Sequence, residues 1–181
     1  MILIGLGNPG NKYSNTKHNF GYWVIDSIIK KCSLKLKAGK GDYLYAQYEE
    51  SFLVKPTAYM NSSGVAINQI LNYYKASIED LIIIYDDIDL PLGTIKFKDK
   101  GGTAGHKGIE NIIYQLRSEA FLRLRLGIAV DSLKMRPSEK YVLSPFPKKY
   151  NEEINLVINK SITGIEYLLD HGITKTMNKF N

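Results

Sequence analysis

The sequence predicts an α/β fold: a single domain over residues 1–181 with a mixed, mostly parallel central sheet flanked by helices. Two observations carry this reading. Short apolar runs interleave along the chain with segments of helical periodicity, and one run, "LIIIYDD", is continuously apolar, as a strand buried on both faces must be. Hydrophobic residues make up 44% and charged residues 23% of 181 positions, which is the balance of a chain able to bury a substantial core.

The elements follow in order. Ile2-Leu3-Ile4 reads as a short buried strand, followed by the polar loop "NKYSNTKHN". Phe20, Trp23, Val24, Ile28 and Leu34 fall at helical spacing, with Lys30 and Lys31 in the last turns. "YLYAQY" and "FLVKP", separated by Glu49-Glu50-Ser51, read as a strand pair. "NSSG" supplies capping residues for a second helix carrying Val65, Ile67, Ile70, Leu71 and Tyr74. After "LIIIYDD", the stretch "GTIKFKD" alternates like a half-exposed strand. The glycine-rich loop "KGGTAGHKG" leads into a third helix, "IENIIYQLRS". "LRLGIAV" is a further strand, and "EEINLVINKSITGIEYLLDHG" a long helix ended by Gly172.

The net charge is +6, which suits a polyanionic partner without requiring one. No apolar run approaches the roughly 20 residues that span a bilayer, and Gly5, Gly7, Asn8 and Pro9 cut short the N-terminal run that a signal peptide would extend. One cysteine, Cys32, excludes an intramolecular disulfide and suits a reducing compartment. The expectation is a soluble cytoplasmic protein.

Gly5-Leu-Gly7-Asn-Pro-Gly10 fits the dinucleotide fingerprint G-x-G-x-x-G. The context does not. Helical periodicity begins only at Phe20, whereas a pyrophosphate needs the helix N-terminus at the loop. Pro9 has no N–H to offer a phosphate, and the acid expected about 20 positions on is replaced by Lys30-Lys31. A P-loop fails as well, because His106 stands before Lys107 where G-K-[ST] needs glycine. The glycines read instead as a tight exit from the first strand, presenting Asn8 at the strand's carboxyl edge.

The chain has three histidines, His18, His106 and His171. His18 ends the polar loop in which Asn8, Tyr13, Lys17 and Asn19 are crowded, and such loops at strand ends carry sites. A surface or capping histidine is the alternative. Asp86 ends the buried "LIIIY" run, where a carboxylate is partly desolvated and needs a partner. A neutral histidine oriented by such a carboxylate is a general base. A turn, or a metal bound by Asp86, Asp87 and Asp89, are the competing readings. In "PTAYMNSSG", Asn61 precedes a helix and is also a candidate cap. There is no G-x-S-x-G, and nothing marks Cys32 as activated, so a hydrolase would use water as its nucleophile.

Residues 94 to 125 hold seven basic side chains against three acidic ones, a net +4. Lys96, Lys98 and Lys100 alternate on one strand, and Arg123 and Arg125 on the next. Two such rows form either solvated faces or a sequence-blind phosphate track.

"GLGNPGNKYSNTKHNFG", "PTAYMNSSG", "YDDIDLPLG" and "GGTAGHKG", in this order and spacing, resemble the bacterial peptidyl-tRNA hydrolases over nearly the whole chain. The resemblance implies a monomeric, cytoplasmic esterase that needs no metal or cofactor and has a mixed sheet flanked by helices. It would cut the ester between a peptide and the 3′ ribose of tRNA and touch the acceptor and T stems. Carried over by position, His18 would activate water, Asp86 would hold its basic form, and Asn8 would tell peptidyl-tRNA from tRNA bearing a free amino acid. Tyr13, Tyr59 and Asn61 match contacts to the tRNA or peptide end, Met60 lines the cleft, and Lys98, Arg123 and Arg125 match phosphate-gripping positions. The family motif Gly-His-Asn-Gly departs here to Gly105-His106-Lys107-Gly108, and Lys107 would either stabilise an oxyanion or reach a phosphate. Residues 131–140 are a candidate closing segment. The alternative is a non-catalytic RNA-binding module on the same fold.

Overall fold

In the computed structural model, which describes residues 1–130, 135 and 137–181, one seven-stranded sheet organises the chain. Its strands are β1 (Ile2–Gly5), β2 (Lys37–Ala38), β3 (Tyr43–Tyr48), β4 (Ser51–Pro56), β5 (Leu81–Pro91), β6 (Ile95–Lys98) and β7 (Leu122–Ala129), in spatial order β2-β3-β4-β1-β5-β7-β6. The four central strands run parallel, and the outer ones pair antiparallel, so the sheet is mixed as expected. Parallel strands need a return over a face of the sheet. Helices α1 (Phe20–Lys31), α2 (Ser63–Tyr74) and α3 (Lys107–Leu116) lie on these crossovers, with a short α4 (Ser138–Val142), then α5 (Asn151–His171) and α6 (Ile173–Phe180) after the last strand.

Strand alternation divides the core into two layers. Leu3, Ile82, Ile84, Leu124 and Leu126 pack with Phe20, Val24 and Ile28 of α1 and Val157, Ile165 and Phe180 of α5 and α6. Ile2, Ile4, Ile83 and Tyr85 face the other way, onto Ile67 and Ile70 of α2 and Ile109 and Ile112 of α3. Successive residues of one strand point to opposite faces, so a buried run such as "LIIIY" feeds both layers.

The opening glycines are explained by packing. A Cβ on Gly5 would stand 2.3 Å from the carbonyl oxygen of Gly21, so α1 rests directly on the end of β1. A Cβ on Gly7 would meet the ring of Tyr22 at 2.6 Å. That ring is itself held by its hydroxyl, which donates to the Pro56 carbonyl. Asn8 leaves this contact at the carboxyl edge of the sheet.

Three expectations are corrected and one element is added. The first helix stops at Lys31, and Leu34 packs on the core from the loop beyond it. Asn61 is not the cap of α2: it lies in a 3-10 turn, Met60–Ser62, and Ser62 stands at the N-cap. "YDDIDLP" is strand, not turn, because β5 continues to Pro91 beside β7 with a register shift between Asp87 and Pro91. The chain also turns at Gly172 (φ +78°) into α6, which sequence periodicity did not show.

Gly5→Ala drives a methyl into the Gly21 backbone and the buried Ile25 side chain, and the helix backbone cannot yield. It is expected to destabilise the protein by about 3 kcal/mol or more, read as a fall in the urea midpoint. An unchanged midpoint would mean that α1 does not rest on β1 in this way.

Candidate active site

Three chain segments meet at the carboxyl ends of β1 and β5. After β1, Asn8 is clamped by Asn19: its N–H donates to Asn19 Oδ1 at 2.8 Å and its carbonyl accepts from Asn19 Nδ2 at 3.0 Å. The Met60 N–H donates to Asn8 Oδ1 at 2.8 Å. The side-chain oxygen is therefore occupied, and the amide of Asn8 keeps its NH₂ for the cleft.

His18 lies in the 3-10 turn Lys17–Asn19 that leads into α1. Its Nδ1 lies 2.8 and 3.0 Å from the two carboxylate oxygens of Asp86. The third member is His106, at the N-cap of α3, whose Nε2 lies 3.1 Å from Asp86 Oδ1. Its Nδ1 accepts the Ile109 N–H at 3.2 Å. A backbone N–H can only donate, so His106 Nδ1 carries no proton and its proton sits on Nε2, aimed at Asp86. Both nitrogens of His106 are thus committed. His18 is different: with Nδ1–H on Asp86, its Nε2 remains to act as a base.

Asp86 is 2% exposed and His18 8%. Burial opposes ionisation of Asp86, but the charge of His18 and the hydrogen bonds from both histidines outweigh it and hold the carboxyl well below the usual carboxylate range. Burial likewise opposes protonation of His18, and the adjacent Asp86 carboxylate overcomes it, so the imidazole is raised above its ordinary 6.5.

His18, Asp86 and His106 offer ligand atoms within 4.8 Å of one another. They suit a proton relay better than a metal. An imidazole bound to a metal through Nε2 carries its proton on Nδ1, and His106 Nδ1 faces a backbone donor instead. The metal reading of Asp86, Asp87 and Asp89 loses its ligands too: Asp87 accepts from Arg125 Nε at 2.5 Å and from the Asp89 N–H at 2.9 Å.

A cleft of about 820 Å³ opens over this relay. Asn8, His18, Met60 and Asp86 are its buried lining, while Tyr13, Tyr59 and Asn61 border it toward solvent. The Tyr13 and Tyr59 rings meet edge to face at 6.2 Å, with Tyr59 58% exposed. Lys107 also borders the cleft, but its ammonium is paired with Glu110 at 2.9 Å on the exposed start of α3. Of the segment 131–140, positions 131–134 and 136 lie outside the described residues; its described end, from Ser138, forms α4, which supplies one wall of the cleft.

Beside the cleft, sharing Tyr85 and Ala104 with it, is a second pocket of about 260 Å³ lined by Lys98, Lys100, Arg123 and Arg125. The two basic rows do align, Lys96 opposite Arg125 and Lys98 opposite Arg123. They are not simple solvated faces. Arg123 is 2% exposed and donates to the carbonyls of Gly102 (2.6 Å) and Glu119 (3.3 Å), with no partner for its Nε among the described residues. Arg125 shares its charge with Asp87.

Sequence reasoning brought together His18, Asp86, Asn8, Met60 and Asn61 but gave no role to His106 or Asn19. The signal for His106 was its place directly before a helix in a glycine-rich loop, the position of an N-cap. Cys32, half-buried at the end of α1, belongs to the packing of the α1 layer.

Fold and site together define a class: an α/β protein with a histidine oriented by a buried carboxylate at the strand ends, and a basic pocket beside it. A sequence model of the family described as peptidyl-tRNA hydrolase matches residues 2–181. The chain is 39% identical to the peptidyl-tRNA hydrolase of Bacillus subtilis (strain 168) over 187 residues, covering 100% of this chain and 98% of that protein. It is 42% identical to that of Hydrogenobaculum sp. (strain Y04AAS1) over 178 residues, covering 95% and 94%. The crystal structure of peptidyl-tRNA hydrolase from Acinetobacter baumannii matches it with a TM-score of 0.90 at 29% identity, covering 99% of this chain and 93% of that one. The chain belongs to the peptidyl-tRNA hydrolase family.

Because Asp86 raises His18, the basic form of His18 grows in as pH rises through a midpoint above 6.5. Asp86→Asn removes the charge and leaves only burial, which acts in the opposite direction. Its midpoint in the pH profile of kcat/KM is expected below 6.5, with a plateau lowered roughly 10²- to 10⁴-fold. An unshifted midpoint would show that His18 is not the titrating base.

Proposed function

We propose that this protein hydrolyses the ester between a peptide and the 3′ ribose of tRNA, with His18 as the general base. The observation that carries the reading is the His18–Asp86–His106 relay opening into a cleft next to a basic pocket. Family membership supports the same substrate.

A water in the cleft gives its proton to His18 Nε2 as its oxygen bonds to the ester carbonyl carbon. The carbonyl electron pair moves to oxygen, and in this reading the side-chain amide of Asn61, at the cleft border, steadies that charge. Collapse of the tetrahedral intermediate breaks the bond to the ribose oxygen, which takes the proton back from His18. The products are a free peptide acid and a free 3′ hydroxyl. The Asp86 anion stabilises the imidazolium between the two transfers, a contribution of the roughly 10²–10⁴-fold class for acid–base catalysis.

Asn8 supplies the discrimination. Its oxygen is held by the Met60 N–H, so it presents donors only. An N-acyl carbonyl accepts from it, whereas the ammonium of a free aminoacyl ester also only donates and is left unpaired. Tyr13 and Tyr59 offer ring surfaces to the terminal base. Lys98, Lys100 and Arg123 attract acceptor and T-stem phosphates, with Arg125 softened by Asp87. Lys107, paired with Glu110, is better placed for a phosphate at the cleft border than for the oxyanion. We read the protein as a cytoplasmic monomer; no helix among the described residues is long and apolar enough to cross a membrane. No observation favours a non-catalytic RNA-binding module, since the relay is complete.

His18→Ala is expected to lower hydrolysis of N-acetyl-aminoacyl-tRNA by roughly 10³-fold in a protein that is less stable but still folded at the assay temperature, as read by circular dichroism. In parallel, the wild type should cleave the N-acetylated ester and spare the free aminoacyl ester, more slowly as salt rises. Wild-type turnover by the variant would remove His18 from the mechanism, and binding without cleavage by the wild type would leave only the RNA-binding reading.

A further inference from the structure

The loop that carries His18 holds a second buried side chain, to which the reaction above assigns no task. Lys17 is 2% exposed. Its ammonium donates to Ser144 Oγ at 2.8 Å, to the Pro145 carbonyl at 2.9 Å and to the Ser144 carbonyl at 3.2 Å, and lies 3.4 Å from the Tyr141 carbonyl. The same ammonium lies over the rings of Tyr141 (4.3 Å) and Phe146 (5.1 Å). Its backbone N–H also donates to the Ser144 carbonyl, and Thr16 pairs with Pro145. None of the ion pairs among the described residues includes it.

A buried cation with no counter-ion among the described residues is an expensive way to fill space, and an apolar side chain would pack on Tyr141 and Phe146 at lower cost. What the ammonium adds is direction. Its three protons converge on one turn of chain, residues 141–145, which closes α4. Val142 and Leu143 of this turn, with Ser138 and Glu139 of α4, line the same cleft as His18. Lys17 is the residue next to His18, so one side chain ties the base to the facing wall.

We propose that Lys17 is a positioning residue: its buried ammonium holds the α4 wall at a set distance from His18, so that the acyl part of an N-acylated ester fits between the base and the apolar side chains Val142 and Leu143. The proposal rests on the reading of His18 as the base. Burial pushes the ammonium down to about 8, so the tie weakens within the range of an ordinary activity profile. The neutral amine would have two protons for four acceptors. Among the described residues, the titratable group against it is Tyr141 of α4, whose hydroxyl donates to the Ile128 carbonyl; the neighbouring His18 turns its ring to Asp86.

The test is hydrolysis of N-acetyl-aminoacyl-tRNA between about pH 6 and pH 9, corrected for spontaneous cleavage. The enzymes compared are the wild type, Lys17→Arg, Lys17→Met and His18→Ala. Lys17→Met is expected to raise KM roughly tenfold with kcat changed less than about threefold, the signature of lost binding rather than lost chemistry. The wild type should rise with deprotonation of His18 and fall again near pH 8. Lys17→Arg, which cannot deprotonate in this range, should keep KM and lose the fall. A wild-type KM in folded Lys17→Met overturns the proposal, as does an alkaline fall that is absent from the wild type or unchanged in Lys17→Arg. If circular dichroism shows that Lys17→Met does not fold, the Lys17→Arg profile decides alone. Failure of the His18 reading is separate, because it appears only as retained turnover in His18→Ala.

Discussion

The architecture of the site depends on keeping the Asp86 carboxylate ionised out of water. A charge 2% exposed cannot be solvated, so the fold must bring it donors. They come from two loops far apart in sequence: the one after β1, with His18, and the one before α3, with His106. Those loops can meet at Asp86 only because β1 and β5 are neighbours and parallel, with their carboxyl ends on the same edge. The sheet order and the chemistry are therefore one constraint. The two histidines divide the work through their second nitrogens. His106 spends its Nδ1 on the cap of α3 and becomes a fixed donor, while His18 keeps a nitrogen for the cleft.

Asp87 answers the same problem differently. It is 4% exposed and pairs with Arg125, drawing one of the two arginines out of a purely solvated role. One extended strand end thus supports the floor of the cleft through Asp86 and a wall of the basic pocket through Asp87. The two spaces share Tyr85 and Ala104 and lie side by side. A substrate with an ester at one end and a phosphate chain beside it matches that arrangement.

Close backbone approach sets the precision of the first loop. Gly5 and Gly7 allow α1 and the Tyr22 ring to sit against the end of β1, which brings Asn19, at the start of α1, within reach of Asn8. The glycine pattern that mimics a nucleotide fingerprint is thus a packing device, with its helix beginning at Phe20 instead of at the loop.

Much of this was legible from residue order. Apolar periodicity located six of the seven strands and the three crossover helices, because burial on one or both faces leaves its period in the sequence. Asn8, His18 and Asp86 could be named as candidates because polar groups next to buried strands need partners. Pairings across the chain left no such trace. His106 on Asp86, Asn19 on Asn8, Arg125 on Asp87 and Lys17 on the end of α4 join positions 11 to 128 residues apart. Periodicity records which way a side chain points, not what it meets, so these contacts, and with them the tautomer of each histidine, were decided only by the packing of the whole sheet and its helices.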